Sequence, residues 1–348
     1  MAVETVPSGN KRVLAMVPNW LGDCIMAWPV LDAFKDASFT VIVAARRGLV
    51  PLFHGVETDI EVIEAPRGGI KGLFETTRFA QAVKQQSPDV ALLLPNSYSS
   101  AFHTWFARIP ERIGVNFRSG RGLFLTKGVA KERYTGFPHQ AHRYLCLLDA
   151  IGLDSHCDKD RLPVVKLKPS STALELASAL KLPAKYAVMA PEAAYGPAKE
   201  WPVDRFAEVV RKLAREGWAV AVTGKPVHEA RFARLTSLGS VVNLMGRTDL
   251  TGLAGVLAGA GLFIGNDSGA GHLAAALGVP AVVIFGSTNP EATRPLGDKV
   301  KVLYGKTECS PCFKRTCRYN TYECLNRITV DTVLEAVGEV LGERRDKT

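Results

Sequence analysis

Gly265-Asn266-Asp267-Ser268-Gly269-Ala270-Gly271-His272-Leu273-Ala274-Ala275-Ala276-Leu277-Gly278-Val279-Pro280 is the stretch whose reading decides the fold. Its apolar approach, 262–264, reads as a short buried strand, 269–277 as a helix of small residues, and 281–285 as a second strand. Asp267 and Ser268 stand where an N-cap belongs, and Gly278 with Pro280 supplies the stop. The first turn of such a helix offers backbone N–H groups and a positive dipole end, with Ser268 and His272 beside them. Its glycines let a ligand approach the backbone closely, so phosphate binding is one use of this unit. Tight packing of an ordinary strand–helix–strand unit is the other.

Working outward, the same alternation fills the chain. Strands are expected at 12–17, 39–45, 62–64, 90–94 and 113–115, with helices at 24–36, 76–86 and 142–151 between or after them. Around Pro163, Pro169 and Pro183 the rhythm weakens about a helix near 173–180, and it restarts with a strand at 186–190. Further strands follow at 218–223, 241–244 and 300–303, with helices at 204–215, 229–235, 250–258 and 330–341. Strands alternating with helices mean parallel, doubly wound sheets, so the fold class is α/β with two Rossmann-like domains. The expected boundaries are 1–165, a linker at 166–184, 185–330, and a C-terminal helix at 331–348 that is free to pack back on the first domain. Ligands of such folds bind at the carboxyl ends of the strands, which puts them in a cleft between the two halves.

A chain of 348 residues favours two domains over one core. Its 47% hydrophobic and 22% charged content is that of a globular protein. A net charge of +9 favours an anionic partner: nucleic acid, an acidic membrane surface or a phosphorylated substrate. Residues 1–12 are polar and the next apolar run breaks at Asn19 and Asp23, so no secretory signal is expected. No window reaches the roughly 20 apolar residues of a membrane span. The expected location is cytoplasmic, at a membrane surface. Seven cysteines are an odd number for a secreted disulfide framework. Four of them, Cys309, Cys312, Cys317 and Cys324, fall close together. Only the first pair has metal-knuckle spacing, and the expectation is a reduced cluster without metal, with a four-thiolate zinc site as the alternative.

Neither standard nucleotide fingerprint is present: no Gly-x-Gly-x-x-Gly follows the first strand, and Gly224-Lys225 is followed by Pro226. Asp158-Lys159-Asp160 has the D-x-D form of metal-dependent transferases but reads as a solvated loop. Asp23, after Pro18-Asn19-Trp20-Leu21-Gly22, stands at a strand-to-helix junction. It is either a plain N-cap or a general base held ionised by the dipole end. Lys199, in Gly196-Pro197-Ala198-Lys199, is either a surface lysine or a cation that neutralises a leaving phosphate. His272 packs or donates to phosphate. The basic run Arg112, Arg118, Arg121, Lys127, Lys131 and Arg133, interleaved with Phe117, Leu123 and Phe124, is either a solvated loop or a seat for an anionic, partly lipidic acceptor. No nucleic-acid module accompanies it.

Together these residues resemble the ADP-heptose:lipopolysaccharide heptosyltransferases, glycosyltransferase family 9, most of all its type II members. The likeness rests on Pro18–Asp23 and on Gly196-Pro197-Ala198-Lys199-Glu200-Trp201-Pro202. It continues through Asn243-Leu244 with Gly246 and Thr248, then Asn266-Asp267-Ser268-Gly269 with His272. Its last piece is Cys309-Ser310-Pro311-Cys312-Phe313-Lys314-Arg315 with Cys317. The resemblance implies a GT-B fold, with an N-terminal acceptor domain and a C-terminal donor domain. It implies inverting transfer of L-glycero-D-manno-heptose from ADP-heptose to the heptose of the inner core on lipid A–Kdo, with no metal or other cofactor. By this resemblance Asp23 is the catalytic base and Lys199 contacts the diphosphate. Asp267, Ser268, Gly269 and His272 hold the donor, with Thr248 and Glu229 near it. Asn19, Arg118 and Arg121 are the candidate acceptor contacts. The segment Pro191-Glu192-Ala193-Ala194 departs from the glycine-containing family pattern. Two other readings compete: a related transferase using another nucleotide sugar or core position, and a non-enzymatic two-lobed binding protein.

Overall fold

The computed structural model describes residues 11–67, 72–117, 120–155, 158 and 161–342. Two compact units divide the chain, Met1–Phe53 with Thr58–Pro163, and Val164–Thr348 with His54–Glu57. In the first, strands β1 (Arg12–Met16), β2 (Thr40–Ala45), β3 (Glu61–Glu64), β4 (Val90–Leu93), β5 (Glu111–Asn116) and β6 (Lys127–Ala130) form a sheet of order β3-β2-β1-β4-β5-β6. In the second, β7 (Tyr186–Ala190), β8 (Ala219–Val222), β9 (Val241–Asn243), β10 (Leu262–Asn266), β11 (Ala281–Phe285) and β12 (Val300–Tyr304) run β12-β11-β10-β7-β8-β9. Every pairing in both sheets is parallel. Read from its own first strand, each sheet has the doubly wound order in which the winding reverses beside that strand. The reversal falls between β1 and β4 in one unit and between β7 and β10 in the other.

Burial follows from this layering. A parallel strand covered on both faces needs apolar residues at every position, and β7, β10 and β11 are buried throughout. Helices cover the faces with one apolar stripe each: Val203–Arg215 buries Phe206, Val209, Val210 and Leu213 and leaves its charges outside. The terminal helix Val330–Leu341 adds Val333, Leu334 and Val337 to this same core, beside Val210, Ile284 and Leu303. It therefore packs on the sheet of the C-terminal unit.

The structure differs from the expected elements in several places, among them the helix expected at 229–235, which is a 3-10 stretch Pro226–Phe232 running into a short helix Ala233–Thr236, and the unexpected strand β6. The helix expected at 24–36 is two, Leu21–Met26 and Trp28–Asp36, because Pro29 lacks the N–H that would continue the first. The helix expected at 142–151 is Gln140–Leu145 followed by a 3-10 turn at Leu148–Ile151. The segment 98–106, without an expected element, is a helix capped by Ser97, whose Oγ accepts from Ser100 N–H at 3.2 Å. The region 166–184 is built into the C-terminal unit. Leu167 N–H donates to Ala276 O at 2.7 Å, and helix Ser171–Ala179 meets helix Leu250–Ala258 at Gly255. A Cβ on Gly255 would stand 1.9 Å from Ala173 O, so only glycine allows that crossing.

Trp201 anchors the second core. It is 1% exposed, stacks edge-on against Phe206 with centroids 4.9 Å apart, and donates Nε1–H to Ile328 O at 2.9 Å. Trp201→Ala is expected to lower stability by about 3–5 kcal/mol, the range for truncating a buried aromatic, as read from urea unfolding.

Candidate active site

Both switch points carry the chemistry-bearing residues. In the C-terminal unit β10 ends at Asn266, and Asp267 and Ser268 follow before helix Gly269–Ala276 begins. Asn266 is fully buried; its Nδ2 donates to Pro191 O at 2.6 Å and its Oδ1 accepts from Trp201 N–H at 3.0 Å. That amide ties the ends of β10 and β7 to the loop bearing Lys199. Lys199 Nζ is 2.5 Å from Asp267 Oδ2, which also accepts from Thr288 Oγ at 2.6 Å. The pair is largely out of water, the two side chains being 13% and 5% exposed. Tyr195 holds the lysine from outside, its ring centroid 5.0 Å from Nζ and 5.2 Å from the Arg315 guanidinium.

Ser268 is the N-cap residue by position, yet its side chain makes no capping bond. Its Oγ is buried without a partner among the described residues, as are Ser287 Oγ and His272 Nδ1. Burial pushes the His272 imidazole down to about 4, against Asp267, which raises it, so the ring is neutral at pH 7. Three unsatisfied polar atoms beside an eight-residue helix start, with a lysine alongside, fit an anionic group that takes hydrogen bonds.

The other donor candidates lie along the same edge. Glu229, exposed, accepts from Asn243 Nδ2 at 2.6 Å near the end of β9. Thr248 immediately precedes Asp249, which caps helix Leu250–Ala258 by accepting from Gly252 N–H at 2.9 Å. No bond joins either residue to the Lys199–Asp267 group among the described residues. Glu192, passed over in the sequence as a departure from pattern, is 8% exposed just beyond β7. It accepts from Lys225 N–H at 2.7 Å and lies 2.9 Å from His228 Nδ1. Its signal in the sequence was a lone acid in an apolar strand exit. Thr288, at the exit of β11, was also missed and carries no comparable signal.

In the N-terminal unit Asp23 is half-buried in the first turn of Leu21–Met26, just past β1. Burial first, then the Asp23 charge, pushes the neighbouring Cys24 thiol up to about 12. The same two causes, in the same order, raise the Tyr144 hydroxyl well above its ordinary value. Asn19 Oδ1 accepts from Arg46 Nε at 3.1 Å, so the loop of Asp23 is braced by the exit of β2. Arg121 is fully buried, contrary to the solvated-loop reading of its basic run. Its Nη1 reaches Asn96 Oδ1 at 3.3 Å, while Nε and Nη2 have no partner among the described residues. Burial pushes the guanidinium down to about 10, with Tyr134 opposing. A buried cation with two unused donor nitrogens and no bonded carboxylate among the described residues suits an anion. Arg118 lies outside the described residues, as do Lys159 and Asp160.

Two doubly wound units with polar groups at both switch points, one group fitting a phosphate, are the architecture of the GT-B glycosyltransferases. The comparisons specify which. The sequence model of glycosyltransferase family 9 (heptosyltransferase) matches residues 76–323, and the chain belongs to that family. It is 30% identical to lipopolysaccharide heptosyltransferase 2 of Salmonella typhimurium, over 95% of this chain and 99% of that one. It is 37% identical to lipopolysaccharide heptosyltransferase 1 of Pseudomonas aeruginosa, over 90% and 89%. The solved structure of Escherichia coli ADP-heptose lps heptosyltransferase II matches with a TM-score of 0.79 at 26% identity, covering 95% and 98%. The protein is a glycosyltransferase, and the reading as a non-enzymatic binding protein falls away.

The Lys199–Asp267 pair has a measurable signature. Removing one partner of a buried pair strands the other charge, at about 3–5 kcal/mol, while removing both charges does not. Lys199→Met is expected to destabilise by that order, and Lys199→Met with Asp267→Asn to recover most of the loss in urea unfolding.

Proposed function

We propose that this chain moves L-glycero-D-manno-heptose from ADP-heptose, with inversion, onto the heptose of a lipid A–Kdo–heptose acceptor, the reaction of a heptosyltransferase 2. The observation that carries the reading is the group at the exit of β10. Lys199, neutral His272, Ser268 Oγ, Ser287 Oγ and the helix N–H groups supply cation and donors for a diphosphate. The C-terminal unit then holds the donor, with Asp267 fixing Lys199 and Gly269 opening the first turn to it. Glu229 and Thr248 serve the nucleoside end. The N-terminal unit holds the acceptor through Asn19, Arg118 and Arg121, with Arg121 facing a phosphate or carboxylate of the inner core.

In the proposed step the acceptor hydroxyl attacks the anomeric carbon of the heptose. Its proton passes to the Asp23 carboxylate, and the bond to the β-phosphate oxygen breaks on the opposite face. The electron pair leaves with ADP, whose new charge falls on Lys199 and the helix start. No metal or other cofactor takes part in this scheme. Asp23→Ala is expected to lower turnover roughly 10²–10⁴-fold, the range for loss of a general base, with ADP-heptose binding kept. Survival within about tenfold, about 1.4 kcal/mol of barrier, would remove Asp23 as the base.

A second reading, transfer of the first heptose, is favoured by the 37% identity to a heptosyltransferase 1. Incubation with ADP-heptose and either a heptose-free or a mono-heptosylated acceptor, followed by mass measurement, separates the two. One heptose added to the mono-heptosylated acceptor alone is the expected result. Addition only to the heptose-free acceptor would transfer the assignment to the first position.

The acceptor's lipid implies work at the cytoplasmic membrane surface, and no described helix is long and apolar enough to cross a membrane. Helix Tyr98–Phe106 and the turn Arg121–Phe124 support peripheral contact. Phe124 packs on Tyr98, Phe102 and Trp105, while Leu123 is 82% and Trp105 45% exposed, with Arg108 and Lys127 exposed nearby in sequence. Apolar side chains among basic ones suit an anionic bilayer surface. Co-sedimentation with phosphatidylglycerol vesicles, but not phosphatidylcholine vesicles, is expected, and Leu123→Asp with Trp105→Ser should abolish it. Binding unchanged in that variant would place the contact elsewhere.

A further inference from the structure

The cysteine-bearing segment 305–322, between β12 and helix Glu323–Asn326, contains neither helix nor strand. Irregular segments of this length inside a compact unit are uncommon and need something to hold them. Apolar burial holds it only at its end, where Tyr322 and Cys324 pack on the core, while Phe313 and Tyr319 are 56% and 57% exposed. Cys309, Cys312, Cys317 and Cys324 are all free, half-buried thiols. All four line one open cavity of about 740 Å³, together with Arg318 and Arg327.

We propose that these four cysteines bind one thiophilic metal ion, zinc(II) or iron(II), which staples the segment to the C-terminal unit. The ligand set is thiolate only, in the order Cys-x2-Cys-x4-Cys-x6-Cys, and four sulfurs satisfy a tetrahedral ion. With the side chains as they stand, no three ligating groups converge among the described residues. Binding draws the sulfurs inward from the cavity wall by changes of side-chain rotamer. Each ligating thiol releases its proton, so a divalent ion with four thiolates carries two negative charges.

The role is structural, because the segment supports the loop of Lys199. Ala198 N–H donates to Arg315 O at 2.9 Å, Phe313 N–H to Ser287 O at 2.8 Å, and the Tyr195 hydroxyl to Phe313 O at 2.7 Å. Gly196, at φ +144°, sits so close to Arg315 O that a Cβ would come within 2.6 Å. Fixing the cysteines fixes the backbone against which Ala198 and Ser287 rest.

The test uses the full chain, reduced, loaded with zinc(II) or anaerobically with iron(II), and desalted. Elemental analysis is expected to find one ion per chain, lost in Cys312→Ser and in Cys317→Ser and kept in Cys146→Ser. Cobalt(II) in place of the ion should give thiolate-to-metal charge-transfer absorption in the wild type alone. Chelation should lower the Tm of the wild type and leave that of Cys317→Ser unchanged. Substoichiometric metal in the loaded wild type, or an ion retained in both loop variants, overturns the proposal. The wild-type measurement decides the matter even if a variant does not fold, and none of these readouts depends on the donor or acceptor assigned above.

Discussion

One buried amide holds the strand-exit end of the C-terminal unit together. Asn266 spends its Nδ2 on Pro191 and its Oδ1 on Trp201, joining the exits of two neighbouring parallel strands to the loop between them. A buried amide left unmatched costs far more than a matched one contributes, so this geometry has little freedom to drift. Lys199 is two residues from the amide's acceptor contact and Asp267 is the next residue after Asn266. The ion pair between them is therefore placed by backbone already fixed at both ends. Trp201 closes the arrangement from below, through its stack on Phe206 and its bond to Ile328. Thr288 restrains the carboxylate from the exit of β11. The position of one cation thus depends on three adjacent strands, which is what a site must achieve if charge is to be met where it develops and not after rearrangement.

The rhythm of the chain made the architecture legible because each parallel strand is an unbroken apolar run and each covering helix shows one apolar stripe. Strand exits were legible for the same reason: polar and glycine residues must resume where the sheet ends. Helix Tyr98–Phe106 was not, because Ser99, Ser100 and Thr104 break the apolar period. The structure resolves this by turning Ser100 and Thr104 hydroxyls onto backbone carbonyls one turn back. The break at Ala27 was legible in principle, through Pro29. Arg121 was not: a run of basic residues looks the same whether its members point outward or one of them turns into the unit beneath Gly114. The space for that guanidinium exists because position 114 lacks a side chain, a Cβ there falling 2.6 Å from Nη2.

Ser268 shows where local rules mislead usefully. Position and residue type both predict a capping bond, and the structure withholds it. A serine that declines its cap, buried beside a neutral histidine and a second unpartnered serine, retains donor capacity at a cost in stability. The sequence pattern located the helix start; the unspent hydroxyls are what favours the proposed phosphate seat over simple packing. The same reasoning applies to Arg121, whose unused edges are the N-terminal counterpart.

On the proposed reading the two sites ask for opposite electrostatics. A general base must stay ionised yet retain basicity, which a bonded lysine nearby would take away. A leaving diphosphate needs cation and N–H donors at close range. Burial keeps the Cys24 thiol and the Tyr144 hydroxyl, which both feel the Asp23 charge, neutral. Lys199 lies against Asp267, which stores its charge in the absence of an anion and keeps the side chain from wandering. On the proposed reading, an arriving diphosphate shares a lysine already oriented by a carboxylate that cannot follow it, since Thr288 and the strand exit hold that carboxylate in place. The ordering entropy of the lysine is spent in folding, so the donor meets a cation that has little left to lose on binding it.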